Sequence, residues 1–343
     1  MTLRVGGTTR RLVGDEPADI ARAADILRAG GLVAFPTETV YGLGADAAND
    51  AAVARIFAAK GRPADHPLIV HIASAAELPQ WARDIPETAW ALAAKFWPGP
   101  LTLILKRAPG VAGAASGGLD TIGLRVPGHP VALALLASFG GGIAAPSANQ
   151  FGRVSPTCVD HVLSELDGCI DAVIDGGACS VGLESTILDL SGPHPRVLRP
   201  GAVTPPMLEA IMGKLDETLS TEAPKVPGSL EAHYAPATPL RLVPPQALDA
   251  EAARLAAAGT VVVLARHAPQ SNAGFRWMRL PAEAATYGHD LYARLREADA
   301  LGSACILIET PPDGAEWMAV NDRLKRAAAG SGGAKSARVE TGP

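Results

Sequence analysis

Residues 60–72 read KGRPADHPLIVHI, and the fold can be worked outward from this stretch. Before it, residues 49–61 have apolar positions at helical spacing and a glycine just past the last turn, which predicts a helix. An Arg-Pro pair leaves the helix, and the apolar run that follows predicts a buried strand. Ligand sites in open α/β sheets form where strands end and loops meet. The cationic or titratable side chains at this junction are Lys60, Arg62, His66 and His71.

This concentration of positive charge is unusual for the chain, since only three lysines occur in its first 205 residues. Lys60 is the lysine that lies at a helix–loop junction beside an arginine, and His71 lies in a strand that is otherwise apolar. Each residue also has a plain structural interpretation, in which Lys60 caps the helix and His71 is a satisfied core residue. Their clustering favours a local site for an anion, with the structural alternative still open for each residue.

Helix and strand patterns alternate along the rest of the chain. Helices are predicted at 17–30, 87–97, 129–140 and 158–168, and strands at 31–36, 101–107, 121–127, 141–149, 171–177 and 185–191. This alternation predicts an α/β (mixed α+β) layered domain over residues 1–212. Residues 213–239 have no sustained period and are rich in Pro, Ser and Thr, which predicts a linker. Residues 240–330 predict a small three-layer α/β domain, and residues 331–343 a flexible tail.

Composition and charge narrow the class of protein. The 343 residues are 48% hydrophobic, which is enough for two domains with buried cores. The net charge is −5, and positions 1–205 hold 16 basic and 19 acidic residues, so neither half has the basic excess of a nucleic-acid-binding protein. The four cysteines have no zinc-site spacing, and no segment has the apolar length of a signal peptide or a membrane span. We therefore expect a soluble, cytoplasmic protein.

A second polar group lies in APSANQFGRVSPT, residues 145–157. Ser147, Asn149, Arg153 and Ser155 place hydroxyls, an amide and a guanidinium in one loop after a predicted strand. Several donors together suit a polyphosphate, and arginine adds planar bidentate contacts. Further polar candidates near other predicted strand ends are Thr37, Thr39, Thr121, Arg125, Ser185 and Arg199.

Three common motifs are excluded or weak. GLGADA (42–47) matches the G-x-G-x-x-A dinucleotide pattern, but a polar segment separates it from the preceding strand, so it is interpreted as a tight loop that lets a ligand approach the backbone. Ser180 is near a nucleophile elbow, but alanine stands where the first glycine belongs. No Walker A sequence is present.

Eight segments in this order resemble the YrdC family in its long two-domain form. They are PTETVYGLG, the K-x-R signature at 60–62, DHPLIVH, GLRVPGHP, the S-x-N signature at 147–149, GLESTILDL, VLRPG and the linker's HYAP at 233–236. The agreement is close over residues 15–205, whereas the C-terminal part agrees in size and pattern. The resemblance implies a twisted mixed sheet with helices and a large positive cavity, followed by a small Rossmann-like three-layer α/β domain.

The resemblance also implies an activity and the residues that carry it. Such enzymes are nucleotidyltransferases that condense L-threonine, bicarbonate and ATP into L-threonylcarbamoyl-AMP and release pyrophosphate. A separate complex then transfers the threonylcarbamoyl group to tRNAs reading ANN codons. By carry-over, Lys60 and Arg62 are expected to be catalytic. ATP would be held by Lys60, Arg62, His66, Thr121, Ser147, Asn149, Ser155, Arg199 and Tyr234. L-Threonine would be held by Thr39, His71, Arg125, the backbone of Ala145, and Ser185.

Mg²⁺ is the expected metal, bound through the phosphates of ATP because no carboxylate cluster appears near these loops, and no organic cofactor is expected. Tyr234 in the linker would fold over the nucleotide as a lid. The rival classes are an RNA-binding module, a regulatory nucleotide-binding domain without turnover, and a carbamoyl-phosphate-dependent enzyme. The acidic balance counts against the first, so direct tRNA binding is expected to be weak. The role of the C-terminal domain, the oligomeric state and the choice of threonine over serine stay open.

Overall fold

The computed structural model describes residues 7–215, 224, 226–228, 230–269 and 275–332. The chain divides into two compact units, each described here by itself. The first comprises Met1–Phe151, Ser155–Ser180 and Glu184–Ser229, and the second comprises Gly152–Val154, Val181–Leu183 and Leu230–Pro343. The predicted domain limits stay predictions, since much of the 213–239 linker and most of the 331–343 tail lie outside the described residues.

The first unit is built on one large sheet with helices on its faces. Its strands in the described residues are β1 Arg10–Val13, β2 Val33–Phe35, β3 Gly42–Asp46, β4 Ile69–His71, β5 Leu101–Lys106, β6 Thr121–Arg125, β7 Ile143–Ala144, β8 Ala172–Asp175, β9 Thr186–Asp189 and β10 Arg196–Arg199. Its helices there are α1 Pro17–Arg28, α2 Asp50–Lys60, α3 Leu78–Trp81, α4 Glu87–Phe96, α5 Pro130–Phe139, α6 Val159–Leu166 and α7 Pro205–Met212.

The sheet is mixed, with strand order β1-β8-β2-β3-β7-β4-β6-β5-β9-β10. β4 and β6 are parallel, and their register pairs His71 with Arg125, which aligns the ends of these two strands. β7 runs antiparallel to β4, and β5 runs parallel to β9. Buried apolar side chains line both faces of β5, as expected for a central strand covered on two sides. The mixed α/β fold predicted from the sequence is confirmed.

Helix α2 follows the local rules from which it was predicted. The Asn49 side chain accepts a hydrogen bond from the Ala52 amide at 3.1 Å, which satisfies one of the free N–H groups of the first turn. Gly61 ends the helix in the left-handed conformation, at φ 62°. Gly61 therefore fixes where the chain leaves the helix, directly after Lys60, which is 3% exposed.

One sequence interpretation is wrong, because residues 42–46 form strand β3 and not a tight ligand loop. The glycines serve strand packing. A Cβ atom on Gly44 would lie 2.8 Å from Ile143 Cγ2 and 2.9 Å from Phe35 Cε1, and one on Gly42 would lie 3.2 Å from Ala145 Cβ. Close approach of neighbouring side chains therefore requires glycine in this strand. Strands β1 and β10 and helices α3 and α7 were also not predicted.

The second unit is a four-stranded, all-parallel sheet of order β11-β14-β12-β13. Its elements in the described residues are β11 Leu240–Val243, α8 Leu248–Ala256, β12 Val261–Ala265, β13 Arg276–Arg279, α9 Ala284–Ala300, β14 Cys305–Glu309 and α10 Met318–Gly330. The short edge strand β13 was not predicted. Helix α8 contacts β12 and β14, and α10 contacts β11 and α9. Among the described residues of the chain, no helix has the length and apolarity needed to cross a membrane.

Candidate active site

The predicted site residues of the first unit gather near strand ends of its sheet. His71 ends β4, Arg125 ends β6 and Arg199 ends β10, while Lys60 ends α2. All four side chains are buried. Burying several cations in one unit is costly unless each has partners or an anionic ligand. The partners of each cation therefore show what the site can hold.

Arg125 is held by three hydrogen-bond acceptors, which come from two separate segments of the chain. Its Nη2 donates to Glu38 Oε1 at 2.6 Å, its Nη1 donates to Thr39 Oγ1 at 3.0 Å, and its Nε donates to the Gly99 carbonyl at 3.3 Å. Glu38 also accepts from the Gly128 amide at 2.8 Å. A guanidinium has five N–H groups, so these contacts leave two of them for a ligand. Arg125 is thus oriented in advance and can still bind a carboxylate.

His71 lies beside Arg125 as a neutral imidazole. Burial lowers its pKa to about 3, the charge of Arg125 acts in the same direction, and backbone groups of Ile143 and Ile69 oppose the shift. Its ring packs edge-on against Phe35, with centroids 6.0 Å apart. Within the described part of the chain, its Nδ1 atom has no hydrogen-bond partner. A buried imidazole nitrogen of this kind is a ready partner for a polar group of a ligand.

A hydroxyl pair and Arg199 form the next part of the site. Thr102 Oγ1 and Ser185 Oγ are hydrogen-bonded at 2.8 Å, and both residues are fully buried. Arg199 donates from Nη2 to Ser185 Oγ at 3.1 Å and from Nε to the Ser185 carbonyl at 3.0 Å. Its Nη1 donates to the carbonyl of Pro227 at 3.1 Å, so a described part of the predicted linker contacts this arginine.

Lys60 holds the loop that carries Ser147 and Asn149. Its ammonium donates to the Ser147 carbonyl at 2.6 Å and also to the Asn149 carbonyl. Ser147 is tied to β3 by a bridge to Gly42. Burial, followed by the charge of Arg62, lowers the pKa of Lys60 well below its ordinary value, while Glu165 acts in the opposite direction. A polyanion bound here would favour the charged form of the lysine.

Arg62 and His66 share an aromatic neighbour. The Arg62 guanidinium lies 5.5 Å from the ring centroid of Phe151, and the His66 ring meets the same ring edge-on at 5.6 Å. Arg62 Nη2 also donates to the Pro67 carbonyl at 3.1 Å. Phe151 is itself fixed by a backbone hydrogen bond from its amide to the Lys60 carbonyl at 2.9 Å. The K-x-R segment and the S-x-N loop are therefore one connected structure.

Ser155 and Glu184 join two further loops. The Ser155 hydroxyl donates to Glu184 Oε1 at 2.6 Å, and both residues are buried. Glu184 directly precedes Ser185, so the contact connects the segment proposed for ATP with the segment proposed for threonine.

The remaining predicted residues lie as follows. Ala145 directly follows β7. Its amide donates to the Ile69 carbonyl at 2.9 Å, so the carbonyl of Ala145 is the backbone group considered for a ligand. Thr121 is the first residue of β6, paired with Lys106 at the opposite end of that strand from Arg125. Tyr234 belongs to the second unit and is 1% exposed. Its ring stacks on Tyr292 at 5.9 Å. The ligand roles of these residues stay predictions.

Sequence reasoning missed the carboxylates and one hydroxyl of the site. Glu38, Thr102 and Glu184 were not among the predicted residues, although each contacts one that was. Two of them stand inside quoted motifs, as the acidic residues of PTETVYGLG and GLESTILDL. A single carboxylate in a motif that is otherwise predicted to be buried is the signal that would have pointed to Glu38 and Glu184, because buried carboxylates have charged or hydrogen-bonding partners.

Family models cover most of the chain. The model of the Sua5–YciO–YrdC family, described as "Telomere recombination", matches residues 25–201, and a model described as "Threonylcarbamoyl-AMP synthase, C-terminal domain" matches residues 203–329. The chain is 41% identical over 333 residues to the threonylcarbamoyl-AMP synthase of Bacillus subtilis, covering 94% of this chain and 96% of that protein. It is 34% identical to the enzyme of the same name from Schizosaccharomyces pombe, covering 90% and 88%.

A solved structure agrees over nearly the whole chain. The crystal structure of P. abyssi Sua5 complexed with L-threonine matches with a TM-score of 0.87 and 38% identity, covering 94% of this chain and 98% of that one. The mixed sheet with buried cations and hydroxyls near its strand ends thus defines a domain of the Sua5–YciO–YrdC class. The chain belongs to the family of two-domain threonylcarbamoyl-AMP synthases, which are enzymes of the nucleotidyltransferase type. The resemblance drawn from the motifs is confirmed.

Proposed function

We propose that the chain condenses L-threonine, bicarbonate and ATP into L-threonylcarbamoyl-AMP with release of pyrophosphate. The observation that carries the proposal is the pre-oriented Arg125 beside a neutral His71. Arg125 offers two N–H groups to a carboxylate, and the His71 Nδ1 atom, which has no partner among the described residues, can meet the amino group of the same small molecule. An α-amino acid presents these two groups one carbon apart. The relative from P. abyssi was solved with L-threonine bound, which supports this assignment.

On the threonine side, the carboxylate binds the two remaining N–H groups of Arg125 as a fork. His71 stays neutral at physiological pH and accepts a hydrogen bond from the amine, which orients the nitrogen lone pair toward bicarbonate. Thr39 and the Ser185–Thr102 pair supply hydroxyls for the polar groups of the substrate. The backbone of Ala145 supplies the last contact.

On the ATP side, Lys60, Arg62 and Arg199 face the triphosphate. Their work is electrostatic, because a carbamate anion must approach an α-phosphorus that already carries negative charge. Ser147, Asn149 and Ser155 fix the position of the nucleotide by hydrogen bonds. His66 and Thr121 complete the contacts, and Tyr234 is the linker residue assigned to cover the nucleotide.

Mg²⁺ accompanies ATP in this proposal and, when bound, neutralises phosphate charge. The residues assigned to the ATP side fit phosphate oxygens, because Lys60, Arg62 and Arg199 offer hydrogen-bond donors, so the metal would be held through ATP. The two nearby carboxylates have other partners, since Glu38 binds Arg125 and Glu184 accepts from Ser155. The protein's part would therefore be to bind phosphate oxygens of ATP through Lys60, Arg62 and Arg199.

The chemical step balances without further reagents. The threonine amine attacks bicarbonate and forms a carbamate with loss of water. A carbamate oxygen then bonds to the α-phosphorus, the bond from that phosphorus to the bridging oxygen of the β-phosphate breaks, and pyrophosphate leaves with both electrons. Lys60 and Arg62 stabilise the leaving group, which is the catalytic role assigned to them.

The product is a reactive mixed anhydride, which must be used by a second enzyme. We assign that step to a separate complex that transfers the threonylcarbamoyl group to tRNAs reading ANN codons. The reaction takes place in the cytoplasm, where ATP and tRNA are both available.

The test is pyrophosphate release from ATP with L-threonine and bicarbonate omitted in turn. We expect release only when both are present, together with L-threonylcarbamoyl-AMP among the products. Release that does not depend on threonine, or tight ATP binding without release, would overturn the proposal. In the second case, a steep loss of RNA affinity with increasing salt would favour an RNA-binding module.

A further inference from the structure

Helix α9 of the second unit presents one face to three other segments of that unit. The residues on this face are the adjacent pair Gly288 and His289, followed by Tyr292, Arg296 and Asp299. The steps of three or four positions after His289 place these residues along one side of the helix. None of them belongs to the predicted site. Each contacts either the predicted linker or a short segment that belongs by sequence to the first domain.

The first segment is Gly152–Val154. Arg296 Nη2 donates to the Val154 carbonyl. Arg153 Nη2 donates to Asp299 Oδ2 at 3.4 Å. The other side of the segment meets the linker, where the Ala235 amide donates to the Gly152 carbonyl at 2.8 Å.

The linker is bound at the same end of the helix. Asp299 Oδ2 accepts from the Ala237 amide at 2.9 Å, and Oδ1 accepts from the Thr238 amide at 2.8 Å. Together with the Arg153 guanidinium, these two amides give the Asp299 carboxylate three hydrogen-bond donors from two segments. Asp299 is only 15% exposed in its side chain, so its charge depends on them.

The second segment is Val181–Leu183, which packs against the start of α9 without any room for larger residues. Gly182 has φ +80°, and a Cβ atom there would lie 2.4 Å from the His289 carbonyl oxygen. A Cβ atom on Gly288 would lie 3.1 Å from Leu183 Cδ1. Two glycines thus allow the backbone of α9 to approach this segment closely.

Both segments lead directly into the candidate site. Val154 is followed by Ser155, and Leu183 is followed by Glu184 and Ser185; Ser155 and Glu184 are hydrogen-bonded to each other. We propose that this face of α9 is a positioning element for the reaction, with Arg296 and Asp299 setting the place of Ser155 and the close approach at Gly182 setting that of Ser185. The inference rests on the proposed function and assigns a catalytic task to the C-terminal domain.

The test compares paired variants on the same helix. Arg296→Gln and Asp299→Asn remove contacts to the first segment, whereas Arg294→Gln and Glu297→Gln break an ion pair at 2.8 Å that lies two positions away and is about 42% exposed. We measure pyrophosphate release and the KM values for ATP and L-threonine, with folding checked by circular dichroism. A small displacement of a binding group can cost roughly 10- to 100-fold. We expect the first pair to raise KM for ATP roughly tenfold and the second pair to leave it unchanged.

Gly182→Ala and Gly302→Ala provide the same comparison for the other segment. Both glycines have positive φ, but a Cβ atom on Gly302 meets nothing within 4 Å. Gly182→Ala is expected to raise KM for L-threonine. Gly302→Ala is expected to lower stability through its strained backbone alone and to leave this KM unchanged.

The outcomes separate the two proposals. If the unchanged protein shows no threonine-dependent release, the proposed function fails. If it does, and Arg296→Gln and Asp299→Asn match their controls in both KM values, the role of α9 is overturned. Should Asp299→Asn not fold, Arg296→Lys, which keeps the charge and shortens the reach, decides by the same criterion.

Discussion

Replacing Glu38 by glutamine tests the reasoning about the site most directly. Glu38 and Arg125 form an ion pair at 2.6 Å, and their side chains are only 10% and 4% exposed. The Glu38→Gln side chain keeps the volume and one acceptor oxygen but removes the negative charge, so Arg125 stays buried without its counter-ion. Removing one partner of a buried pair costs about 3–5 kcal/mol, and the retained acceptor places this change at the lower end, about 3 kcal/mol.

The assay is native-state hydrogen exchange of the amides in β4 and β6, which reports the stability of the first unit separately. The control is Asp120→Asn, which breaks an ion pair with Arg83 at 2.8 Å whose side chains are 75% and 40% exposed. We expect the control to cost less than about 1 kcal/mol. L-Threonine should stabilise Glu38→Gln more than it stabilises the unchanged protein, because its carboxylate supplies the missing negative charge.

Two results would refute this reasoning. A loss for Glu38→Gln no larger than that of Asp120→Asn would mean that the pair adds nothing to the fold. Equal stabilisation of both proteins by threonine would mean that the substrate carboxylate does not bind at Arg125.

Three other changes have definite expected results. Because the pKa of His71 is about 3 in the folded chain and about 6.5 when unfolded, the unfolded state binds one more proton between these values. His71 therefore does not lower the free energy of unfolding above pH 6.5, but lowers it by about 1.4 kcal/mol per pH unit as the pH falls from 6.5 toward 3. His71→Gln should flatten the slope of the free energy of unfolding against pH between pH 6 and pH 4. Thr102→Val removes the hydrogen bond to Ser185 and should cost about 1 kcal/mol by urea denaturation, while raising KM for L-threonine; an unchanged KM would separate the pair from the site. Chelation of divalent cations should abolish pyrophosphate release and leave the melting temperature unchanged, and a fall in melting temperature would contradict a metal carried only by ATP.

The parts of the fold that follow local rules could be predicted from the sequence. The two ends of α2 depend on Asn49 at its start and on Gly61 just past its last residue, and both residue types can be read from the sequence. Strand β3 could not be predicted in this way, because glycine ordinarily weakens a strand. Glycine is needed there because Phe35 and Ile143 approach from other strands. These tertiary contacts cannot be read from the local sequence.

The cationic and hydroxyl side chains of the candidate site could be predicted from the sequence, but its carboxylates could not. Arg125 and Ser185 stand in motifs whose resemblance assigned them to a substrate. Glu38 and Glu184 also stand in such motifs, Glu38 in PTETVYGLG and Glu184 beside Ser185 in GLESTILDL, but a carboxylate counts against an anion site until its partner is known. That partner lies 87 positions away for Glu38 and 29 positions away for Glu184, so only the folded chain reveals it.

The order of strands in the large sheet has a consequence for how the enzyme matures. The site draws on the chain from Thr39 to Arg199, and β9 and β10 come late in the sequence and complete one edge of the sheet beyond β5. Contacts of such long sequence separation form slowly. During synthesis, therefore, the part of the proposed active site that lies in this sheet cannot be complete until residue 199 has left the ribosome. Substrate binding then marks a finished first domain, and at a ligand concentration 100-fold above Kd it stabilises that state by about 2.7 kcal/mol.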